Sequence, residues 1–143
     1  MQLTSFSDYC LRVLIFAGTK HPALSSVKEI AAAYGINEPH VVKAVHFLSK
    51  AGYLETVRGR GGGLRLKKDP KEITVGDVVR ASENNLAVVE CLGAGGMCTI
   101  TPACNMKPMF KEALEAFFQV LDRYTLSEIL GPEQQLKALL NIG

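Results

Sequence analysis

Along the first third of the chain, apolar and polar residues alternate at helical intervals. From Ser5 to about Thr19, Phe6, Tyr9, Val13, Phe16 and Ala17 recur on one side, which predicts a first helix with a single buried face. Ser26-Val27-Lys28-Glu29 reads as a capping box and opens a second helix that runs to about Tyr34 and stops at Gly35. Asn37 is placed to cap a third helix, with Pro39 in its first turn where a missing amide hydrogen costs little, and the helix runs to about Ala51. Val42, Val45 and Leu48 are its expected inward stripe. Lys43, His46 and Lys50 then share the outward face.

The period changes after Gly52. Tyr53 to Val57 and Leu64 to Leu66 read as two strands joined by Arg58-Gly59-Arg60-Gly61-Gly62-Gly63, a β-hairpin with a glycine-rich, arginine-bearing tip. Thr74 is expected to cap a short helix through about Ala81, with Val75, Val78 and Val79 apolar. Between Val88 and Cys104, Gly93, Gly95, Gly96 and Pro102 disfavour regular structure. Helix resumes near Lys107 and runs to about Arg123, with Phe110, Leu114, Phe117, Phe118 and Leu121 at helical spacing. One small domain has little core left for so strong a stripe, so a dimerisation helix is the reading set against an ordinary core helix. Two short helices, Thr125 to Leu130 and Pro132 to Leu140, end the chain.

The fold class is therefore mainly α with a small β-hairpin wing: a winged helix-turn-helix followed by a long dimerisation helix. Three segments are expected: residues 1–82 as a DNA-binding domain, 83–105 as a loop that binds a cluster, and 106–143 as the dimerisation helix with the C-terminal helices.

Charge sharpens this picture. The net charge is only +2, but residues 1–80 carry +5 and residues 81–143 carry −3. A polyanion is the expected partner of the first part. Three helices and a hairpin place Lys43, His46 and Lys50 on a groove-entering helix, and Arg58, Arg60 and Arg65 on a wing that follows the DNA backbone. A merely solvated hairpin is the alternative for the basic run alone. RNA is disfavoured because no aromatic residues interleave with the basic ones as stacking platforms. No apolar run is long enough to cross a membrane, and the N-terminus lacks a secretory pattern, so a cytoplasmic protein without membrane partners is expected. No set of nucleophile, base and orienting group marks an enzyme.

Three of the four cysteines lie close together as Cys91-x6-Cys98-x5-Cys104. The expected compartment argues against structural disulfides, which favours ligands. Zinc sites usually contain tight C-x2-C pairs, absent here, so the wider spacing suits an iron–sulfur cluster, with zinc or redox-active thiols as the alternatives. Cys10 stands apart on the first helix as a small buried residue.

Over nearly its whole length the chain resembles the Rrf-type winged-helix regulators, and among them the nitric-oxide-sensing NsrR repressors. The resemblance lies in Met1-Gln2-Leu3-Thr4-Ser5-Phe6-Ser7-Asp8-Tyr9, in the wing from Val57 to Leu66, in Val89-Glu90-Cys91, in Thr101-Pro102-Ala103-Cys104 and in Leu121-Asp122-Arg123-Tyr124-Thr125-Leu126. It implies a homodimeric repressor on palindromic double-stranded DNA that senses nitric oxide. It also implies an iron–sulfur cluster on Cys91, Cys98 and Cys104, of the [4Fe-4S] type with [2Fe-2S] as the alternative. In NsrR-like proteins a carboxylate near the start of the partner subunit's first helix can supply the fourth ligand, and the matching residue is Asp8. A helix cap or a favourable N-terminal charge is the plainer role for Asp8. IscR-like relatives carry a histidine three residues after the third cysteine, where this chain has Lys107. A RirA-like iron-responsive regulator and a metal-free thiol sensor remain as alternatives.

Overall fold

The computed structural model describes all 143 residues, ordered as seven α-helices, one antiparallel hairpin and three short 3-10 turns. Helix α1 (Ser5–Lys20) begins at Thr4, whose hydroxyl accepts from the Ser7 amide at 3.2 Å. Its residues Cys10, Val13, Leu14 and Ala17 are fully buried. In α2 (Val27–Tyr34) both bonds of the capping box form. The Glu29 amide donates to Ser26 Oγ at 3.1 Å and the Ser26 amide donates to the Glu29 carboxylate at 2.7 Å. Gly35 ends the helix at φ 64°, in the left-handed region where glycine has no Cβ to clash.

Helix α3 (Glu38–Lys50) follows Asn37, which holds the cap position but makes no side-chain cap bond. Its inward stripe departs from the expected one only at Val42. Val41, Ala44, Val45 and Leu48 are buried, whereas Val42 is 52% exposed. The buried four fall at i, i+3, i+4 and i+7, a continuous face against α1 and α2. Val45 and Leu48 face inward as expected, and Val41 takes the place of Val42 on that face.

Strands β1 (Leu54–Val57) and β2 (Gly63–Leu66) pair with Leu54 opposite Leu66, Glu55 opposite Arg65 and Val57 opposite Gly63. Leu54, Leu64 and Leu66 turn inward to the core. The hairpin is fastened on its other edge as well, because Ser25 and Leu64 exchange two backbone hydrogen bonds of 2.8 Å. A Cβ on Gly63 would strike the Ser25 carbonyl, so this close approach needs glycine.

After a 3-10 turn at Pro70–Glu72 come α4 (Val75–Ser82), α5 (Met106–Asp122), α6 (Leu126–Ile129) and α7 (Glu133–Leu139). Thr74 caps α4 by accepting from the Asp77 amide. Leu126 from α6 and Leu140, just past α7, join the same core cluster as α1, α3 and the wing. The turn between α5 and α6 is tied to the start of α4: the Val75 amide donates to the Tyr124 carbonyl at 2.9 Å, and the Leu126 amide donates to the Ile73 carbonyl at 2.8 Å.

Helix α5 leans on α4 through one bidentate contact. Arg80 Nη1 and Nη2 donate to the two Asp122 carboxylate oxygens at 2.7 Å each, and its guanidinium lies 4.4 Å from the Phe118 ring centroid. Gly76 leaves room for the Asp122 carboxylate, which a Cβ would displace. The guanidinium beside it holds the Asp122 carboxyl below the usual carboxylate range.

Burial of α1 and exposure of Val42 predict opposite responses to truncation. Leu14→Ala removes a fully buried side chain and should cost about 2–5 kcal/mol. Val42→Ala should stay within about 0.5 kcal/mol, since alanine is the better helix former at an exposed site. Urea unfolding monitored by far-UV circular dichroism measures both. Equal losses would mean that the inward face of α3 has been misplaced.

Candidate nucleic-acid interface and cysteine loop

The third helix and the wing present their basic residues on the outside of the fold. Lys43, His46 and Lys50 are exposed along α3, and Arg58 and Arg60 are exposed at the hairpin tip. The tip turns through Gly59 at φ 92° and Gly61 at φ 71°, conformations that favour glycine and set Arg60 at the apex. All six residues expected to touch DNA thus lie on these two elements.

Two of the six already have partners within the chain. Arg65 Nε donates to Glu55 Oε1 at 2.6 Å across the hairpin, as the register dictates. Lys43 Nζ lies 5.3 Å from the Phe6 ring centroid, and Phe6 in turn packs edge-on against Phe47 at 5.3 Å. Lys43 is thereby drawn toward the α1 side of α3. Glu55 and Phe6 were missed in the sequence because neither belongs to the basic pattern. The strand register, once paired, identifies Glu55.

The loop between α4 and α5 holds the cysteine trio. Cys91 sits in a 3-10 turn, Glu90–Leu92, and is half-buried. Cys98 is exposed, and its carbonyl accepts from the Thr101 amide at 3.1 Å. Cys104 closes a second 3-10 turn, Thr101–Ala103, directly before the Asn105 position that starts α5. None of the three is in a disulfide. They do not converge: no three His, Cys, Asp or Glu side chains stand close enough to hold one metal ion. The open concavity of about 830 Å³ formed by residues 83–90, 92–96 and Leu114 is lined by none of the three cysteines.

The chemistry of the segment nonetheless suits a thiolate-bound group. Three thiols lie on one short loop with no protein partner competing for them. A Cβ on Gly96 would strike the Glu90 carbonyl, so the two arms of the loop cross at a position that admits only glycine. No side chain caps the start of α5, which leaves the positive end of a 17-residue helix beside Cys104. Cys10 lies outside this set. Burial pushes its thiol up to about 12, so it stays protonated.

The entrance of the loop is fastened to the start of α1. Glu83 Oε1 accepts from the Thr4 amide at 2.7 Å and from the Thr4 hydroxyl at 3.0 Å, while Ser82 Oγ donates to Ser7 Oγ at 2.8 Å. Burial alone would raise the Glu83 carboxyl, but hydrogen bonds from Ser7 and Thr4 outweigh it and hold the value below normal. The clamp therefore stabilises the fold near neutrality and is lost as pH falls through that depressed value. Asp8 lies one turn further along α1. Its carboxylate pairs with Arg12 Nη2 at 2.9 Å, and capping belongs to Thr4.

Helix α5 divides its apolar residues between two directions. Phe118 is buried, and Phe110, Leu114 and Leu121 are half-buried. Met106, Met109, Phe117 and Val120 are 37–57% exposed, and with Ala113 and Ala116 they form one uncovered strip. No helix of the chain is long and apolar enough to cross a membrane.

Comparison with known proteins places this geometry. The Rrf2 family, described as an iron-dependent transcriptional regulator, matches residues 3–132. The HTH-type transcriptional regulator NsrR of Geobacillus kaustophilus is 49% identical over 142 residues, covering 98% of this chain and 97% of that protein. NsrR of Bacillus subtilis is 44% identical over 144 residues, covering 99% of each. Among solved structures, IscR of T. potens superposes with a TM-score of 0.71 at 25% identity, over 91% of this chain and 86% of that one. CymR, the global cysteine regulator of B. subtilis, superposes with a TM-score of 0.73 at 28% identity, over 90% and 95%.

The Glu55–Arg65 pair predicts a gain on substitution. Glu55→Gln removes a negative charge from the wing and frees the Arg65 guanidinium, so binding to any duplex should tighten and its salt slope should steepen by up to about one unit. Fold stability should change by less than about 1 kcal/mol, since both side chains are more than a third exposed. Titration of a fluorescent duplex at several salt concentrations measures both affinity and slope. An unchanged slope would show that Arg65 stays off the phosphates.

Proposed function

The chain belongs to the Rrf2 family, and from that membership we propose that it is a homodimeric transcription repressor that binds palindromic DNA and is released by nitric oxide. One juxtaposition carries the reading. An exposed basic helix and wing share a small fold with a loop of three unpaired thiols, at the head of a helix whose other apolar side is uncovered.

In this reading Cys91, Cys98 and Cys104 hold an iron–sulfur cluster, [4Fe-4S] rather than [2Fe-2S], with Asp8 of the partner as the oxygen ligand. When bound, the cluster supplies the iron that nitric oxide attacks. The chain's own residues do the rest. The uncovered strip of α5 pairs with its copy and sets the spacing of two α3 helices, which a palindrome tolerates only within narrow limits. The Glu83 clamp joins the loop entrance to α1, and α1 packs against α3, so loop position bears on the reading helix. Asp8 needs only to exchange its Arg12 partner to become available.

Residues 1–82 then act as the DNA-binding part and 106–143 as the dimerisation part, with 83–105 between them. The family's description as iron-dependent favours a second reading, in which iron supply is the signal for the same site. Anaerobic purification followed by iron and sulfide analysis, then titration with nitric oxide or with an iron chelator, separates the two.

Cys91→Ala, Cys98→Ala and Cys104→Ala should each abolish stable iron loading and operator binding, while Cys10→Ala should do neither. Full iron content in the Cys98→Ala protein would exclude that trio. Asp8→Ala should leave a loaded but more fragile protein, and Asp8→Cys should slow its reaction with nitric oxide, because thiolate holds iron more firmly than carboxylate. Stopped-flow absorbance at matched loading reads the three rates. Equal rates would return Asp8 to its role as the partner of Arg12.

Arg60→Ala should weaken binding on all sequences alike and flatten the salt slope by about one unit for each phosphate that the guanidinium neutralises. Fluorescence anisotropy on operator and random duplexes tests this, and an undiminished slope would show that Arg60 touches no phosphate.

A further inference from the structure

Helix α3 exposes one aliphatic side chain amid its polar face. Val42 is 52% exposed, flanked in sequence by buried Val41 and by Lys43, and it stands one turn before His46. A β-branched residue at an exposed helical site is a slightly poor helix former, and no burial offsets that here. Its neighbour is also turned aside: the Lys43 ammonium sits over the Phe6 ring, toward α1. Val42 and His46, an i, i+4 pair, are left adjacent on the outward surface of the helix.

This inference rests on the reading of α3 as the groove-entering helix. In the major groove a thymine is distinguished by its C5-methyl group, the one apolar feature on any base edge, and aliphatic side chains are what contact it. We propose that Val42 is a specificity-determining residue that reads a thymine methyl in each half-site of the operator. Polar residues at this position would favour a different base. Burying one methyl-sized group predicts about a four-fold preference for thymine over a base that lacks the methyl.

The test uses the full chain, purified anaerobically, on duplexes selected by it from a randomised library. Each thymine of the selected site is replaced in turn by uracil, which removes only the methyl group. At one thymine per half-site the wild-type protein should bind the uracil duplex about four-fold more weakly. Val42→Ala, which leaves the fold intact, should bind the two duplexes equally, and Val42→Thr, which keeps one methyl in the same place, should retain part of the preference. If no thymine-to-uracil change separates wild type from Val42→Ala, the proposal is overturned. If the wild-type protein selects no sequence and shows no salt-dependent affinity for any duplex, the DNA-binding reading itself fails. Selection of a site together with an unaltered uracil profile would instead sink Val42 alone.

Discussion

Burial of helix α1 is the constraint on which the other elements depend. Helices α3, α4, α6 and α7 and strand β2 all pack against it, and Cys10, Val13, Leu14 and Ala17 are withdrawn from water completely. Each residue of that face removes apolar area worth roughly 25 cal/mol per Å², so the relative positions of the reading helix, the wing and the C-terminal helices are set together. A rigid module results. The Thr4, Ser7, Ser82 and Glu83 hydrogen bonds then attach the loop entrance to the first turn of this same helix, where a displacement is transmitted through close packing rather than absorbed.

Helix α5 is the exception, and its exposure is as informative as the burial of α1. Its contact with α4 rests on Phe118 and on the Arg80–Asp122 fork, and that contact leaves one apolar side of the helix bare. A monomer would leave Met106, Met109, Phe117 and Val120 in water. A second copy laid along the strip would cover it, and because a two-fold interface presents the same patch from both sides, an apolar strip running the length of one helix would be self-complementary. Cys104 stands at the head of that helix, so the thiol loop and the uncovered strip share an end.

Most elements were legible in the sequence because their signals are local. The Ser26–Glu29 capping box, the Gly35 stop, the Thr74 cap and the glycine-rich wing tip each require only neighbouring residues, and each stands where the pattern placed it. Which of Val41 and Val42 faces inward on α3 was not legible, since both satisfy helical spacing with Val45 until the partners of α3 are known. The two destinations of α5's apolar residues were hidden for the same reason: one stripe in sequence becomes two faces only when α4 covers part of it. At the candidate site, spacing grouped three thiols on one loop, and the loop's own packing leaves them apart.

The charge on the N-terminal part overstates what is free to meet a phosphate. Arg65 is paired with Glu55, Lys43 is stacked on Phe6, and Lys68 lies 4.9 Å from the Tyr53 ring centroid, which leaves Lys28, Lys50, Arg58, Arg60, Lys67 and Lys71 as the more available cations. Charge contacts alone support the sequence-independent range of affinity, with dissociation constants of about 10⁻⁴–10⁻⁶ M at physiological salt. Specific regulators bind orders of magnitude more tightly. One module cannot close that gap by charge, but two modules held at the right spacing can, because the second binds at the effective concentration set by the first. In the proposed dimer, operator affinity would therefore depend on alignment at α5 more than on any single base contact. In the same proposed dimer, a change confined to the loop at the head of α5 would release DNA without touching a residue that reads it.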